Sequence, residues 1–417
     1  MSNIELLAPA GNLEKMKIAL AYGADAVYCG IPDFSLRVRI NQFDMQDLEQ
    51  GIKQAHALGK KVFITTNIFA HNKHLETLDE YLQKLKDLKP DAFIVSDPGI
   101  ITRIKTICPE IEIHLSTQAN CTNWQAAKFW LEQGVKRIIL GREVTIEEIK
   151  EIKINVPEVE LEYFIHGAMC MSYSGRCLLS KFFTDRSANL GDCTQPCRWQ
   201  YNAYLEEVKR PGEFLKIEED LHGSYIMNSK DLCLVEHIEE LMQVGITSFK
   251  IEGRAKSIYY VGNTVKVYRE VIDKILNKEK IDYPYYLDEL DKTQNRGFTS
   301  GFALGKERCE QNTERTHEKC GWEFCGVVVQ DVQDNLPDNT RSQQDSLIAV
   351  KVHNQLKIGD DLEFVIPGEE NFKYTVKKIS DSDMKEISEA HGGQEQIIYL
   401  PIDKKFKNYN LVRRQLQ

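Results

Sequence analysis

Short apolar runs of strand type alternate with helical stretches eight times in the first two thirds of this chain. That alternation restricts its fold more than any other feature. Residues 5–8 form an apolar run ended by Pro9-Ala10-Gly11. Asn12 is then placed to cap a helix with Leu13, Met16, Leu20 and Ala21 on one face. Further strands are expected at 26–29, 61–68, 92–95, 111–115, 137–140, 159–165 and 248–251. Helices are expected at 45–58, 74–88, 100–107, 124–133, 146–152, 234–244 and 259–276. Strand–helix units spaced roughly 20–35 residues apart make a parallel sheet, because parallel neighbours need a crossover long enough to hold a helix. Eight such units match a closed (β/α)8 TIM-like barrel, an α/β fold of about 250 residues. An open doubly wound sheet is the alternative, and no G-x-G-x-x-G follows a strand to favour it.

The last unit is preceded by a cysteine-rich insertion at about 170–233, so the barrel takes up residues 1–277. Residues 278–321 read as a polar, glycine-punctuated linker. From 322 to 417 short strands separated by turn signals predict a small all-β barrel domain. No apolar run is long enough to span a membrane. The N-terminal residues lack a basic region followed by an apolar core, so a signal peptide is not expected. A cytoplasmic setting with reduced thiols is expected, and clustered cysteines there read as metal-binding rather than disulfide-bonded.

A barrel of this kind carries its chemistry at the C-terminal ends of its strands. Those ends supply Asn67, Gln118, Asn120, Arg142, His166, Glu252 and Arg254. Such a set of amides and charges suits a carboxylated or hydroxylated small molecule. Arginine grips carboxylates through two parallel bonds, which makes Arg37, Arg39, Arg142, Arg198 and Arg254 candidates for that role.

Five of the 11 cysteines fall in the insertion: Cys170, Cys177, Cys193, Cys197 and Cys233. They lie in Gly-, Ser- and Asp-rich sequence rather than on an apolar face. Structural zinc favours C-x2–4-C pairs, and only Cys193-x3-Cys197 has that spacing. Irregular spacing suits an iron–sulfur cluster better, with zinc as the alternative. Neither H-E-x-x-H nor a G-x-S-x-G elbow is present, which argues against the common hydrolase chemistries.

The run Glu162, Phe164, Gly167, Ala168, Cys170, Cys177 and Ser180 reproduces an E-x-F-x2-G-[SA]-x-C-x6-C-x2-S pattern. With Leu7-Ala-Pro-Ala-Gly11, Phe34-Ser-Leu-Arg-Val-Arg39, Cys193-Thr-Gln-Pro-Cys-Arg-Trp199, Met227-Asn-Ser-Lys-Asp-Leu-Cys233 and Lys250-Ile-Glu-Gly-Arg254, it resembles peptidase family U32, the collagenase-like peptidases, over essentially the whole chain. The resemblance implies a 4Fe–4S cluster held by Cys170, Cys177, Cys193 and Cys233, with Cys197 the alternative to Cys193. It also implies oxygen-independent hydroxylation of the tRNA wobble uridine to 5-hydroxyuridine, with prephenate supplying the hydroxyl group. In that reading Gln118, His166 and Glu252 are catalytic, while Asn67, Asn120, Arg142 and Arg254 bind substrate. A peptidase of unassigned type and a zinc-bound or cluster-bearing scaffold are the alternatives. A tRNA partner requires a local basic surface on a chain of net charge -10. Lys404, Lys405, Lys407, Arg413 and Arg414 are the candidates for it.

Overall fold

The computed structural model describes residues 4–416 except 33, 37–42, 170–175, 200–203, 207–208, 210, 213, 217–228, 306–319, 330–346 and 394–395. Eight parallel strands close on themselves: Glu5–Pro9, Ala26–Cys29, Lys61–Thr66, Ala92–Val95, Glu112–Leu115, Arg137–Ile139, Glu160–Ala168 and Ile246–Ile251. Each pairs with the next in sequence. The last pairs with both the first (Leu6↔Phe249) and the seventh (Phe249↔Tyr163), which completes the barrel. The strands are buried on both faces because helices cover the outside and side chains fill the inside.

The helices begin where capping residues allow. Asn12, Asp44, Asn123 and Ser257 each accept a backbone N–H of the first turn through the side chain. Thr145 and Glu148 form a reciprocal capping box. Asp97 caps a helix that has Pro98 in its first turn, where the missing N–H costs nothing.

Two departures from the simple barrel follow. The seventh strand is nine residues long and outgrows the barrel. Its end pairs antiparallel with Asp231–Cys233, at Cys233↔His166, and that segment pairs in turn with Phe298–Thr299. The second departure lies in the expected linker, where Tyr283–Asp291 folds as a helix capped by Asp282, with Tyr286 and Leu290 buried. Pro284, three carboxylates and the polar residues just before it concealed it, although Tyr and Leu make up five of its nine residues.

The C-terminal domain is an antiparallel sheet built from Trp322–Val328, Leu347–Val352, Asp361–Val365, Phe372–Thr375, Ile397–Pro401 and Leu411–Gln415, with two shorter strands at one edge. It packs against the barrel helix Ile258–Asn277. Gly262 of that helix lies so close that a Cβ would meet Leu411 Cδ1 at 2.5 Å. The Tyr22 hydroxyl donates to the Val365 carbonyl at 2.7 Å and accepts from the Leu411 N–H at 2.9 Å. Arg413 is fully buried here. It donates to Asn263 Oδ1 at 3.1 Å and to Glu289 at 2.8 and 3.0 Å, and it also reaches Glu363. Arg414 bonds Glu323 at 2.6 Å and Asp360 at 2.5 Å. The expectation that Arg413 and Arg414 form an RNA-facing surface is therefore corrected. The two point to opposite faces of their strand, and carboxylates on each face engage them.

Candidate functional site

A cavity of about 180 Å³ opens at the C-terminal mouth of the barrel. That is about the size that takes one six-membered ring. Its wall is built from strand ends: Tyr28, Thr65, Asn67, Gln118, Arg142, Phe164, Lys250, Glu252 and Arg254 all reach it.

The polar wall is pre-ordered. Asn67 accepts the Leu36 N–H at 3.2 Å and donates through Nδ2 to Ser116 Oγ at 3.0 Å and Gln118 Oε1 at 3.2 Å. Arg254 donates to Ser35 Oγ at 2.8 Å, Thr65 Oγ1 at 3.0 Å and the Leu36 carbonyl at 2.8 Å. Gly30 makes this possible, because a Cβ there would sit 2.3 Å from both the Ser35 and the Thr65 hydroxyl oxygens. Arg254 thus holds the 35–36 turn and Thr65 together, with its guanidinium already engaged.

Arg142 is placed differently. Its guanidinium carbon lies 3.8 Å from the centre of the Phe164 ring, and Nη2 is 3.7 Å from Glu252 Oε2. Its buried Nε has no hydrogen-bond partner among the described residues. A mostly buried cation with donors to spare is suited to an incoming anion.

Beneath the cavity floor lies a buried ionic network. Glu162, fully buried, accepts from Lys250 Nζ at 2.7 Å, Ser248 Oγ at 3.2 Å and Arg137 Nη1 at 3.3 Å. Burial opposes its charge, but Lys250 and Arg137 more than offset that and hold the carboxyl below its ordinary range. Burial likewise pulls the Lys250 ammonium down, against the pull of Glu162.

His166 does not line the cavity. Alternation along the seventh strand would set Glu162, Phe164 and His166 on one face. The pairing with the last strand skips from Lys250↔Phe164 to Ile251↔His166, leaving a bulge at Ile165. His166 turns outward against Tyr260, Tyr268 and Phe298, with Nδ1 3.3 Å from the Tyr268 hydroxyl. Burial lowers its pKa to about 4. Asn120 takes a left-handed conformation, φ 58°, just after the Thr117–Ala119 turn and also falls outside the cavity wall. Asn67, Gln118, Arg142, Glu252 and Arg254 are brought together. Lys250, Tyr28 and Phe164 complete the wall without having been singled out as site residues. The Lys250-Ile-Glu-Gly-Arg254 run was the available signal for the first of them.

Residues 176–199 of the insertion fold over the mouth. Asn189 is the anchor: its carbonyl accepts the Phe69 N–H at 3.3 Å, and its side chain accepts the Cys177 N–H at 3.1 Å. Buried Ser180 accepts the Thr194 N–H at 2.9 Å, which ties the helix Leu179–Thr184 to the Cys193–Cys197 loop. Cys177, Cys193 and Cys197 reach the cavity. Cys233 sits on the strand paired to His166, with Sγ 3.7 Å from the Tyr268 hydroxyl. Burial raises its thiol pKa to about 11. Cys170, Arg37 and Arg39 lie outside the described residues. Among the described residues, no three of His, Cys, Asp and Glu are grouped closely enough to hold a metal ion. The thiols of Cys177, Cys193 and Cys197 are the soft donors present at the wall.

A model of peptidase family U32 matches residues 11–313, and one of the peptidase family U32 C-terminal domain matches residues 321–413. The chain is 40% identical over 448 residues to tRNA hydroxylation protein P of Escherichia coli (strain K12), covering 98% of this chain and 96% of that one. It is 34% identical over 313 residues to a 23S rRNA 5-hydroxycytidine synthase of the same organism, covering 73% of this chain and 46% of the relative. It is 31% identical over 321 residues to a protein named collagenase from Porphyromonas gingivalis, covering 73% and 75%.

Proposed function

The chain belongs to peptidase family U32, and from that membership we propose that it is an RNA-modifying enzyme that hydroxylates tRNA. The nearly end-to-end similarity to a tRNA hydroxylation protein supports this, as does the shorter similarity to a hydroxycytidine synthase. In its finer form the proposal is oxygen-independent conversion of the wobble uridine to 5-hydroxyuridine, with prephenate as hydroxyl donor. Cys170, Cys177, Cys193 and Cys233 would hold a 4Fe–4S cluster, which when bound supplies one-electron chemistry next to the cavity.

The observation that carries the finer reading is Arg142. Its guanidinium stacks on Phe164 at a cavity of single-ring size, with Nη2 3.7 Å from Glu252, beyond hydrogen-bond distance. A ring-bearing dicarboxylate needs such a partner. Arg198 and Lys250 add positive charge to the same wall. Asn67 and Gln118 then orient polar groups of the ligand, and Glu252, the one carboxylate on the wall among the described residues, is placed to accept a proton.

A thiol peptidase needs a histidine within reach of its cysteine. Among the described residues no histidine lines this cavity. The test is mass analysis of tRNA nucleosides from a strain lacking this protein, complemented with the wild type or with Arg142→Ala. Loss of 5-hydroxyuridine that only the wild type restores is expected. An unchanged nucleoside profile in the deletion strain would overturn the proposal.

A further inference from the structure

We infer that the outward face of the cysteine-rich insertion is a stacking platform for unpaired RNA bases, seated beside the cavity. This rests on the RNA reading above and adds where the RNA is held. Five Phe, Tyr and Trp side chains are exposed among the described residues, and three of them are Phe182, Phe183 and Trp199. Phe182 is 81% exposed, and Leu178 beside it 72%. The rings form a connected group: Phe182 and Phe183 lie edge to face with centres 5.1 Å apart, and Phe183 and Trp199 are 6.1 Å apart. Single exposed apolar residues need no explanation, whereas adjoining rings at the mouth of a cavity mark a contact surface.

Position and charge identify the partner. Leu179 and Arg198 line the cavity, and Phe182 and Trp199 follow them on the same two short segments. Anything resting on the rings therefore borders the opening. Residues 176–199 carry Arg176, Lys181, Arg186 and Arg198 against Asp185 and Asp192. This ring-bearing segment, four cations against two carboxylates, is thus net positive on a chain of net charge -10. Aromatic faces interleaved with cations are the chemistry that holds single-stranded nucleic acid, since every base has a face to stack and a phosphate to pair. The geometry also answers a need of the reaction. A base presented to a donor held in the cavity must leave its stack to reach the opening, and its neighbours lose their stacking partner. The platform replaces it.

The test uses the full chain purified without oxygen, as wild type, as a Phe182→Ala/Trp199→Ala double variant and as the corresponding double Leu variant. Iron content and thermal midpoint serve as folding checks. Binding to an RNA hairpin with an unpaired loop, and to a blunt RNA duplex, is followed by fluorescence anisotropy at fixed salt. Both variants are expected to bind the hairpin about tenfold or more weakly and the duplex almost unchanged. The Leu variant separates stacking from mere apolar area. Hairpin affinity equal to wild type in the Ala variant would overturn the inference. Light scattering that shows loss of self-association with hairpin binding intact would also overturn it, assigning the patch to a second copy. A wild-type chain that binds no RNA would sink the RNA reading beneath it as well.

Discussion

Arg142 and Arg254 bring the same side chain to the same cavity, yet their surroundings use them differently. Arg254 spends its donors on Ser35, Thr65 and the Leu36 carbonyl. Arg142 keeps a buried donor unused. Arg142→Ala should therefore raise the KM for a carboxylate donor about tenfold or more while leaving the urea midpoint close to wild type. Arg254→Ala should cost about 2–4 kcal/mol of stability, because it strands buried acceptors. Equal stability of the two variants would show that Arg254 is a substrate clamp after all. The cysteines divide in a similar way. Cys193 and Cys197 both face the cavity, so the wall alone does not choose between them. With Cys193 as the ligand, Cys193→Ala should lose most of its iron and the broad absorbance near about 400 nm typical of such clusters, and Cys197→Ala should keep both. The reverse pattern assigns the ligand to Cys197. Strand-end residues such as Asn67, Gln118 and Glu252 were legible because a barrel fixes which end meets the substrate. The engagement of Arg254 was not, since it depends on a turn from a different strand.

At the scale of elements, all eight barrel strands could be read from apolar runs bounded by turn residues. A one-residue irregularity could not. The bulge at Ile165 carries no sequence signal, yet it sends His166 to the outer face and leaves Phe164 on the cavity. Gly167 is part of the same device. It sits at φ 109°, and a Cβ there would come within 2.6 Å of the Glu252 carbonyl oxygen. Gly167→Ala should cost about 2–4 kcal/mol, the sum of left-handed strain and a steric shift, and should displace Glu252 from Arg142. Denaturant unfolding would measure the first effect and loss of tRNA hydroxylation the second. A variant with wild-type stability and activity would mean that the strand end yields easily and the bulge does not set the site. The helix Tyr283–Asp291 was missed because it is short, follows polar residues and carries Pro284 in its first turn, which reads equally well as a turn signal.

Across the whole molecule, the two modules were visible in the change from mixed to all-β patterning, but the way they join was not. Arg413 links them through Glu289 of the barrel module and Glu363 of the sheet. A chain ending near Gly321 would lay bare Tyr22, Tyr259 and Asn263, so its failure to bind RNA would reflect folding as much as recognition. Point variants separate the two. Arg413→Ala leaves buried carboxylates without their main partner and should cost about 3–5 kcal/mol. Burial acts to raise the Glu289 pKa, but Arg413 and Lys292 more than offset it and bring it below 4.5. A lowered carboxylate pKa gives stability that is fully present above the ordinary value and lost as pH falls through the folded one. The gap in urea midpoint between wild type and Arg413→Ala should therefore narrow from pH 7 towards pH 3. Of the five basic residues expected to face RNA, Lys405 and Lys407 are exposed and Lys404 is held loosely to Glu369 at 3.5 Å. Replacing all three with Ala should weaken tRNA binding and flatten its dependence on log salt by about one unit for each phosphate that a lysine no longer neutralises. Arg413→Ala, measured where it remains folded, should leave that slope unchanged. If the triple lysine variant keeps both affinity and slope, the β module takes no part in holding RNA, and the ring-bearing segment 176–199 at the barrel mouth must hold it alone.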